Sequence, residues 1–206
     1  MGMNGFGDIE FLSNLAEPDI ALVTNIGESH AEQVGGRSGI AKAKLEIRSG
    51  LKPGGHLFVD GDEPLLAEVE AEKIGYQIGN TYRIETTEAT FFGTAFAYDG
   101  TAFHLPVLGK HQVRNAAYAI ATARALGVTD ARIQEGFDAV ELTPMRMERL
   151  LFEETAVIND AYNASPTSMN AAIETITALE GYTTRVLVLG DMYELGDQER
   201  LLHASV

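Results

Sequence analysis

Short apolar runs that stop abruptly and give way to helical stripes recur along this chain, and that rhythm confines it to an α/β fold. The sharpest instance is the stretch "VINDAYNASPTSMNAAI", from Val157 to Ile173. Strand propensity is high in Ala156-Val157-Ile158, and Asn159 and Asp160 then end the run. Ser165 is a favoured N-cap and Pro166 a favoured first helical residue. Met169, Ala172, Ile173 and Ile176 follow at helical spacing. The pattern predicts Asp160 at the carboxyl end of a strand, facing a helix N-terminus. Open α/β sheets hold ligands, often nucleotides, at that place. An Asx-type turn without chemistry would leave the same trace in the sequence.

The rhythm begins earlier in the chain. A helix is expected from about Gly7 to Glu17, then a buried strand "DIALVTN" ending at Asn25. A long polar loop containing His30 follows, then a helix from Gly39 to about Ser49. The turn at Pro53-Gly54-Gly55 introduces a strand "GHLFVDG", and "EPLLAEVEAEK" reads as helical. Between Tyr76 and Val107 the pattern changes to alternation with aromatics. Asp99-Gly100 is a strong hairpin turn there, so an antiparallel patch is appended to the α/β core. "GKHQVRNAAYAIATARALGV" is a long Ala-rich helix ending at Gly127, and another helix starts at Thr129 or Asp130. Near Thr143-Pro144 a second α/β unit begins, in which "TRVLVLGDMYELG" repeats the strand-and-helix pattern. The predicted organisation is a mostly parallel sheet with a small antiparallel patch over 1–143, then a second α/β unit over 144–206. The second has room for about two strands and two helices, short of the usual five or so strands, so it reads as the start of a larger domain.

Charge excludes one class of partner. Thirty acidic residues against 15 basic ones give a net charge of −15, which opposes nucleic-acid binding. Phosphates would have to be held by a few placed cations, metal ions and backbone amides. No run approaches the ~18 apolar residues of a membrane span, so no membrane insertion is expected. The absence of cysteine removes disulfides and thiolate metal sites, and is compatible with a cytoplasmic protein. Gly109-Lys110 is followed by His111, so the phosphate-binding pattern G-x-x-x-x-G-K-[ST] fails. G-x-G-x-x-G, H-E-x-x-H and G-x-S-x-G are also missing.

Two residues are not explained by propensity. In "SGIAKAKLEIRSG", Ile40, Ala43 and Ile47 form an apolar stripe, and Lys44 lies on that same face, while Lys42 and Arg48 fall on the polar side. A lysine there either snorkels to water or is buried, and burial lowers its pKa and frees a nucleophilic amine. His30 follows the strand "DIALVTN", again at a carboxyl end. It is either a solvated loop residue or, with a modified Lys44, a ligand for a hard cation.

Read in order, "NIGESH", "GIAKAKLEI", "GKHQVRNAAYAI", "MRMERL" and "INDAYNASPTSM" resemble the Mur ligases, a family of ATP-dependent amide-forming enzymes. The last motif, with "VLGDMYELG" after it, is most similar to members that join D-alanyl-D-alanine to UDP-N-acetylmuramoyl-tripeptide. The resemblance implies a chain that begins inside the central ATPase domain, beyond its phosphate-binding loop, and stops inside the Rossmann-like C-terminal domain. On that basis 1–143 is a partial central ATP-binding domain and 144–206 a partial C-terminal domain. The 206 residues alone would then be inactive. ATP and Mg2+ are the implied cofactors, and the intact enzyme is expected to be a monomer. The resemblance gives Asp160 to the ATP ribose and Arg146 to the phosphates. Asn115 goes to adenine, and Asn163 joins the nucleotide-binding set. His30 would bind a magnesium ion that the carbamate of Lys44 helps to orient, which would make these two the catalytic pair. Two departures stand out: Gln112 replaces a frequent asparagine, and Met145 occupies a position where glycine is frequent. Other readings are a different Mur or folylpolyglutamate-type ligase, or a non-catalytic nucleotide-binding module. The loop "DAYNASPTSM" argues against the other ligases.

Overall fold

The computed structural model describes residues 1–27, 34–141, 143–153, 155–193, 195–196 and 199–206. In chain order the elements are α1 (Asp8–Ala16), β1 (Ile20–Val23), α2 (Arg37–Leu45), β2 (His56–Asp60), β3 (Glu72–Gly75) and β4 (Tyr82–Thr90). They continue with β5 (Gly93–Tyr98), β6 (Thr101–Leu105), α3 (Lys110–Ala125), α4 (Asp130–Asp138), β7 (Glu148–Phe152), β8 (Thr155–Asn159), α5 (Pro166–Ala178) and α6 (Glu199–His203). The α/β class read from the sequence holds.

Strands β1 to β6 form one sheet in sequence order. β1 pairs parallel with β2 from Ile20↔His56 to Val23↔Val59. β2 pairs parallel with β3, and β3 with the start of β4. Two-residue connections make β4, β5 and β6 a run of hairpins, because only antiparallel neighbours can be joined so tightly. At the second of these, Asp99 and Gly100 both take positive φ, 49° and 75°. That is the backbone a two-residue hairpin turn requires, and Asp-Gly supplies it at little cost. β7 and β8 make a separate antiparallel pair, from Glu148↔Asn159 to Phe152↔Thr155.

Two compact units interleave along the chain. One comprises Met1–Glu85, Ala97–Thr101 and Arg114–Asp130; the other comprises Thr86–Phe96, Ala102–Val113 and Ala131–Val206. In the first, a core of Ala21, Val23, Ile40, Ala41, Leu57 and Val59 packs β1 and β2 under α2. Helix α1 there has no cap from its own N-cap residue, Gly7. The Glu46 carboxylate supplies one, accepting from the Gly7 N–H at 3.0 Å and the Glu10 N–H at 3.4 Å. In the second unit, Leu108, Met147 and Leu179 are buried together, with Ile158, Ala172 and Ile176 against them.

Two expectations need correction. "EPLLAEVEAEK" is not a helix: Pro64–Leu66 makes one 3-10 turn, and Glu72–Gly75 is strand. The turn starts where helix signals say, with Pro64 at its first position and the Glu63 carboxylate accepting from the Leu65 N–H at 3.2 Å. It cannot continue, because β2 takes the following segment as a parallel partner and buries Ile74 completely. Tertiary pairing overrides weak local propensity here. "TRVLVLG" is likewise not a strand. Val186 and Val188 are 77% and 94% exposed, and the segment carries no ladder among the described residues. A β-branched run becomes a strand only where another strand accepts its hydrogen bonds.

Candidate functional site

In the first unit, α2 carries Lys44. Ile40 and Ala43 on its inner face are 1% and 0% exposed, while Lys42 points to solvent. Lys44 is half-buried, and its Nζ donates to the Asn25 carbonyl oxygen at 2.8 Å and reaches Asn25 Oδ1 at 3.4 Å. Asn25 lies just beyond the carboxyl end of β1. Burial pushes the Lys44 amine below the ordinary lysine pKa. The side chain thus neither reaches freely to water nor is sealed in the core. It lines a cleft of about 420 Å3, with Val23, Asn25, Gly27 and Ile40 among the walls.

An amine with a lowered pKa is more often neutral, and a neutral amine adds to carbon dioxide. The resulting carbamate exchanges a cation for an oxygen-donor anion. As an ammonium Lys44 could only repel a metal ion; as a carbamate it suits a hard cation such as Mg2+. His30, the other expected metal ligand, lies outside the described residues. Asn115 is exposed on α3.

In the second unit the structure brings Asp160 and Arg146 together. β8 ends at Asn159 and α5 starts at Pro166, with Ser165 as N-cap. Ser165 Oγ accepts from the Ser168 N–H at 3.2 Å, and Ser168 Oγ accepts from the Ser165 N–H at 2.9 Å, a reciprocal capping box. Asp160 therefore stands between a strand end and a helix N-terminus, as its sequence context requires. Its Oδ1 accepts from the Met147 N–H at 3.0 Å. Arg146, the residue before Met147, is flanked by two left-handed residues, Met145 at φ 59° and Met147 at φ 50°.

Two further ties fix this loop against the segment after β8. The Tyr162 N–H donates to Met145 O at 3.0 Å. Glu148 Oε2 accepts from the Met145 N–H and from Asn159 Nδ2, both at 3.1 Å. The Arg146 guanidinium sits 4.1 Å from the centroid of the exposed Tyr162 ring, a cation–π contact. Asn163 has a local task as well, its Oδ1 accepting from the Ala164 N–H at 2.9 Å just before the cap. Met145 holds a left-handed backbone, a region that glycine alone enters without strain.

The sequence did not single out Asn25, the Met147 amide or Tyr162. For Asn25 the partner atom is a peptide oxygen, which leaves no mark in residue types. Tyr162 lies inside the motif already read, between Asp160 and Asn163. An aromatic next to Asn163, an expected nucleotide-binding residue, was the available signal.

Family models match nearly the whole chain: the Mur ligase middle domain over residues 1–123, and the Mur ligase, glutamate ligase domain over residues 145–206. The chain is 46% identical, over 98% of its length, to the UDP-N-acetylmuramoyl-tripeptide–D-alanyl-D-alanine ligase of Bacillus subtilis, of which it covers 46%. It superposes on a crystal structure of MurF from Acinetobacter baumannii with a TM-score of 0.84 at 30% identity, covering 98% of this chain and 46% of that one. MurF ligase from Thermotoga maritima, solved in complex with ADP, gives 0.82 at 25% identity, with 97% and 48% covered. The chain thus spans about half the length of the relatives it matches. With the ordered motifs, the α/β architecture and both family models in agreement, the chain belongs to the Mur ligase family.

Proposed function

We propose that these residues serve an ATP-dependent ligase that joins D-alanyl-D-alanine to UDP-N-acetylmuramoyl-tripeptide in peptidoglycan biosynthesis. The observation that carries this reading is the 46% identity across nearly the whole chain to a ligase of that name. In the reaction, the tripeptide carboxylate oxygen attacks the γ-phosphorus of ATP, ADP leaves, and an acyl phosphate results. The amine of D-alanyl-D-alanine then attacks the acyl carbon, loses a proton, and expels phosphate as the amide forms. The protein's part is positioning and charge neutralisation.

Each candidate residue has a task in this scheme. Asp160 accepts from the ribose hydroxyls, Arg146 meets the phosphates, Asn163 shapes the same nucleotide loop, and Asn115 reads adenine. His30 and the Lys44 carbamate hold magnesium, which when bound neutralises charge on the transferring phosphoryl group. The half-buried Lys44 supports the carbamate, since its lowered pKa supplies the neutral amine that carbon dioxide needs. Residues 1–143 act as part of the ATP-binding domain and 144–206 as part of the C-terminal domain. The cytoplasm, where ATP and the UDP-linked precursor are found together, is the compartment this chemistry requires. No helix among the described residues is long and apolar enough to cross a membrane. The 206 residues by themselves hold no G-x-x-x-x-G-K-[ST] loop, so ligation needs that loop supplied alongside them.

The test uses a ligase-competent protein carrying these residues, with the tripeptide carboxylate labelled with oxygen-18. Attack on the γ-phosphorus moves one labelled oxygen into the released phosphate, dependent on D-alanyl-D-alanine. Unlabelled phosphate would refute the acyl-phosphate route, and release without the tripeptide would refute the substrate. Labelled carbon dioxide should also give a carbamate carbon signal that Lys44→Ala abolishes and Lys42→Ala leaves. At fixed dissolved carbon dioxide the signal should grow as the pH rises toward the lowered Lys44 pKa. A signal surviving Lys44→Ala would place the carbamate elsewhere.

A further inference from the structure

Helix α3 presents Asn115 to solvent, and the residue before it, Arg114, turns inward. Arg114 Nη1 binds Asp60 Oδ2 at 2.8 Å and Nη2 binds Asp62 Oδ2 at 2.8 Å. Its guanidinium also lies 5.5 Å from the Tyr76 ring centroid. The two acids are themselves anchored. Asp60, only 5% exposed, ends β2, and its Oδ1 accepts from the Asp62 N–H at 3.0 Å. Asp62 accepts from the Tyr76 and Gln77 N–H groups at 2.8 and 3.0 Å and from Asn80 Nδ2 at 2.9 Å. One side chain of α3 therefore grips the carboxyl end of β2 and the loop after β3.

The choice of arginine is informative. Its Nε is buried and has no hydrogen-bond partner among the described residues, a cost that lysine would avoid. What lysine lacks is the planar fork that spans two carboxylates at once. Successive helical residues are turned by about 100°, so a clamp at Arg114 fixes the direction in which Asn115 points. The next two residues, Ala116 and Ala117, are buried but offer single methyl groups, which interlock weakly with their neighbours.

We propose that Arg114 is a positioning residue for recognition of the nucleotide base: its two-pronged ion pair with Asp60 and Asp62 sets the rotation of α3 and aims Asn115 at the ring. The proposal rests on the ligase reading above, in which Asn115 meets adenine. Arg124 provides the control. It lies on the same helix about three turns further on, with Nε 2.8 Å from Asp130 Oδ1 and its guanidinium 5.3 Å from the Tyr98 ring centroid. It is a comparable ion pair, far along the helix from Asn115.

The experiment measures kcat/KM for ATP and for GTP in a ligase-competent protein carrying these residues, with Arg114→Met, Arg114→Lys and Arg124→Met. Arg114→Met should lower the ATP-to-GTP ratio about tenfold, the value of one neutral hydrogen bond, through KM for ATP rather than kcat. Arg114→Lys should fall between it and the parent, and Arg124→Met should keep the parent ratio. A merely structural Arg114 would lower melting temperature and depress both nucleotides alike, leaving the ratio unchanged. That result overturns the proposal, as does an equal loss of ratio in Arg124→Met. Should Arg114→Met fail to fold, a parental ratio in Arg114→Lys overturns it. A parent that ligates nothing with ATP overturns the ligase reading itself and this proposal with it.

Discussion

Asp160 has two jobs that a pair of substitutions can separate. Its carboxylate is the proposed ribose contact, and its Oδ1 also accepts the Met147 N–H at 3.0 Å. Met147 is 2% exposed, so that amide cannot turn to water if the acceptor is removed. Asp160→Ala leaves a buried donor unpaired and should lower stability by about 1–3 kcal/mol. Asp160→Asn keeps a carbonyl oxygen in the same place, and should leave stability near the parent value. Both variants lose the charged acceptor for the ribose hydroxyls, worth about 1.5–3 kcal/mol, or roughly ten- to hundredfold in kcat/KM for ATP. The assay is thermal unfolding and ATP-dependent ligation on the same preparations, in a ligase-competent protein carrying these residues. Normal ATP kinetics in Asp160→Asn would make the carboxylate a loop former only. A fall in stability in Asp160→Asn as large as in Asp160→Ala would refute the account of the loop.

Met145→Gly should relieve about 1–2 kcal/mol of left-handed strain, partly offset by the freer unfolded chain, so melting temperature should rise slightly or hold. A clear fall would show that the φ of 59° is not a cost at this site. Tyr98→Phe removes a buried hydroxyl that has no hydrogen-bond partner among the described residues, and keeps the ring under Arg124. Stability should hold or increase in denaturant unfolding, against the loss of about 3–5 kcal/mol expected for removing a large buried aromatic side chain altogether. Destabilisation by Tyr98→Phe would mean that the hydroxyl is satisfied in solution.

What could be read in the sequence was local. The junction from Val157 to Ile173 announces itself because Ser165, Pro166 and the helical stripe are near neighbours along the chain. The cap and the helix start fall where those residues put them. Asp99-Gly100 is legible for the same reason: the turn's backbone demand is met by the two residues that form it. The expectations that failed were decided by partners far along the chain. "EPLLAEVEAEK" has helix-forming residues, but β2 claims its last two, and "TRVLVLG" has strand-forming residues with no ladder to join among the described residues. Lys44 lies between these cases. Its misplaced charge shows in the spacing, while the oxygen that holds it belongs to a peptide group 19 residues away.

Met145 takes this one step further. In the sequence it is only a departure from the pattern that the family resemblance implies. In the structure it is the left-handed third residue of the turn Thr143–Arg146, and a second left-handed residue, Met147, follows Arg146. The Met145 carbonyl and amide and the Met147 amide are all tied to the segment from Glu148 to Tyr162. Those ties can hold a β-carbon in a region that glycine enters freely, because three hydrogen bonds outweigh about 1–2 kcal/mol of strain. The ties therefore fix the backbone on both sides of Arg146 while Met145 carries a β-carbon in the left-handed region.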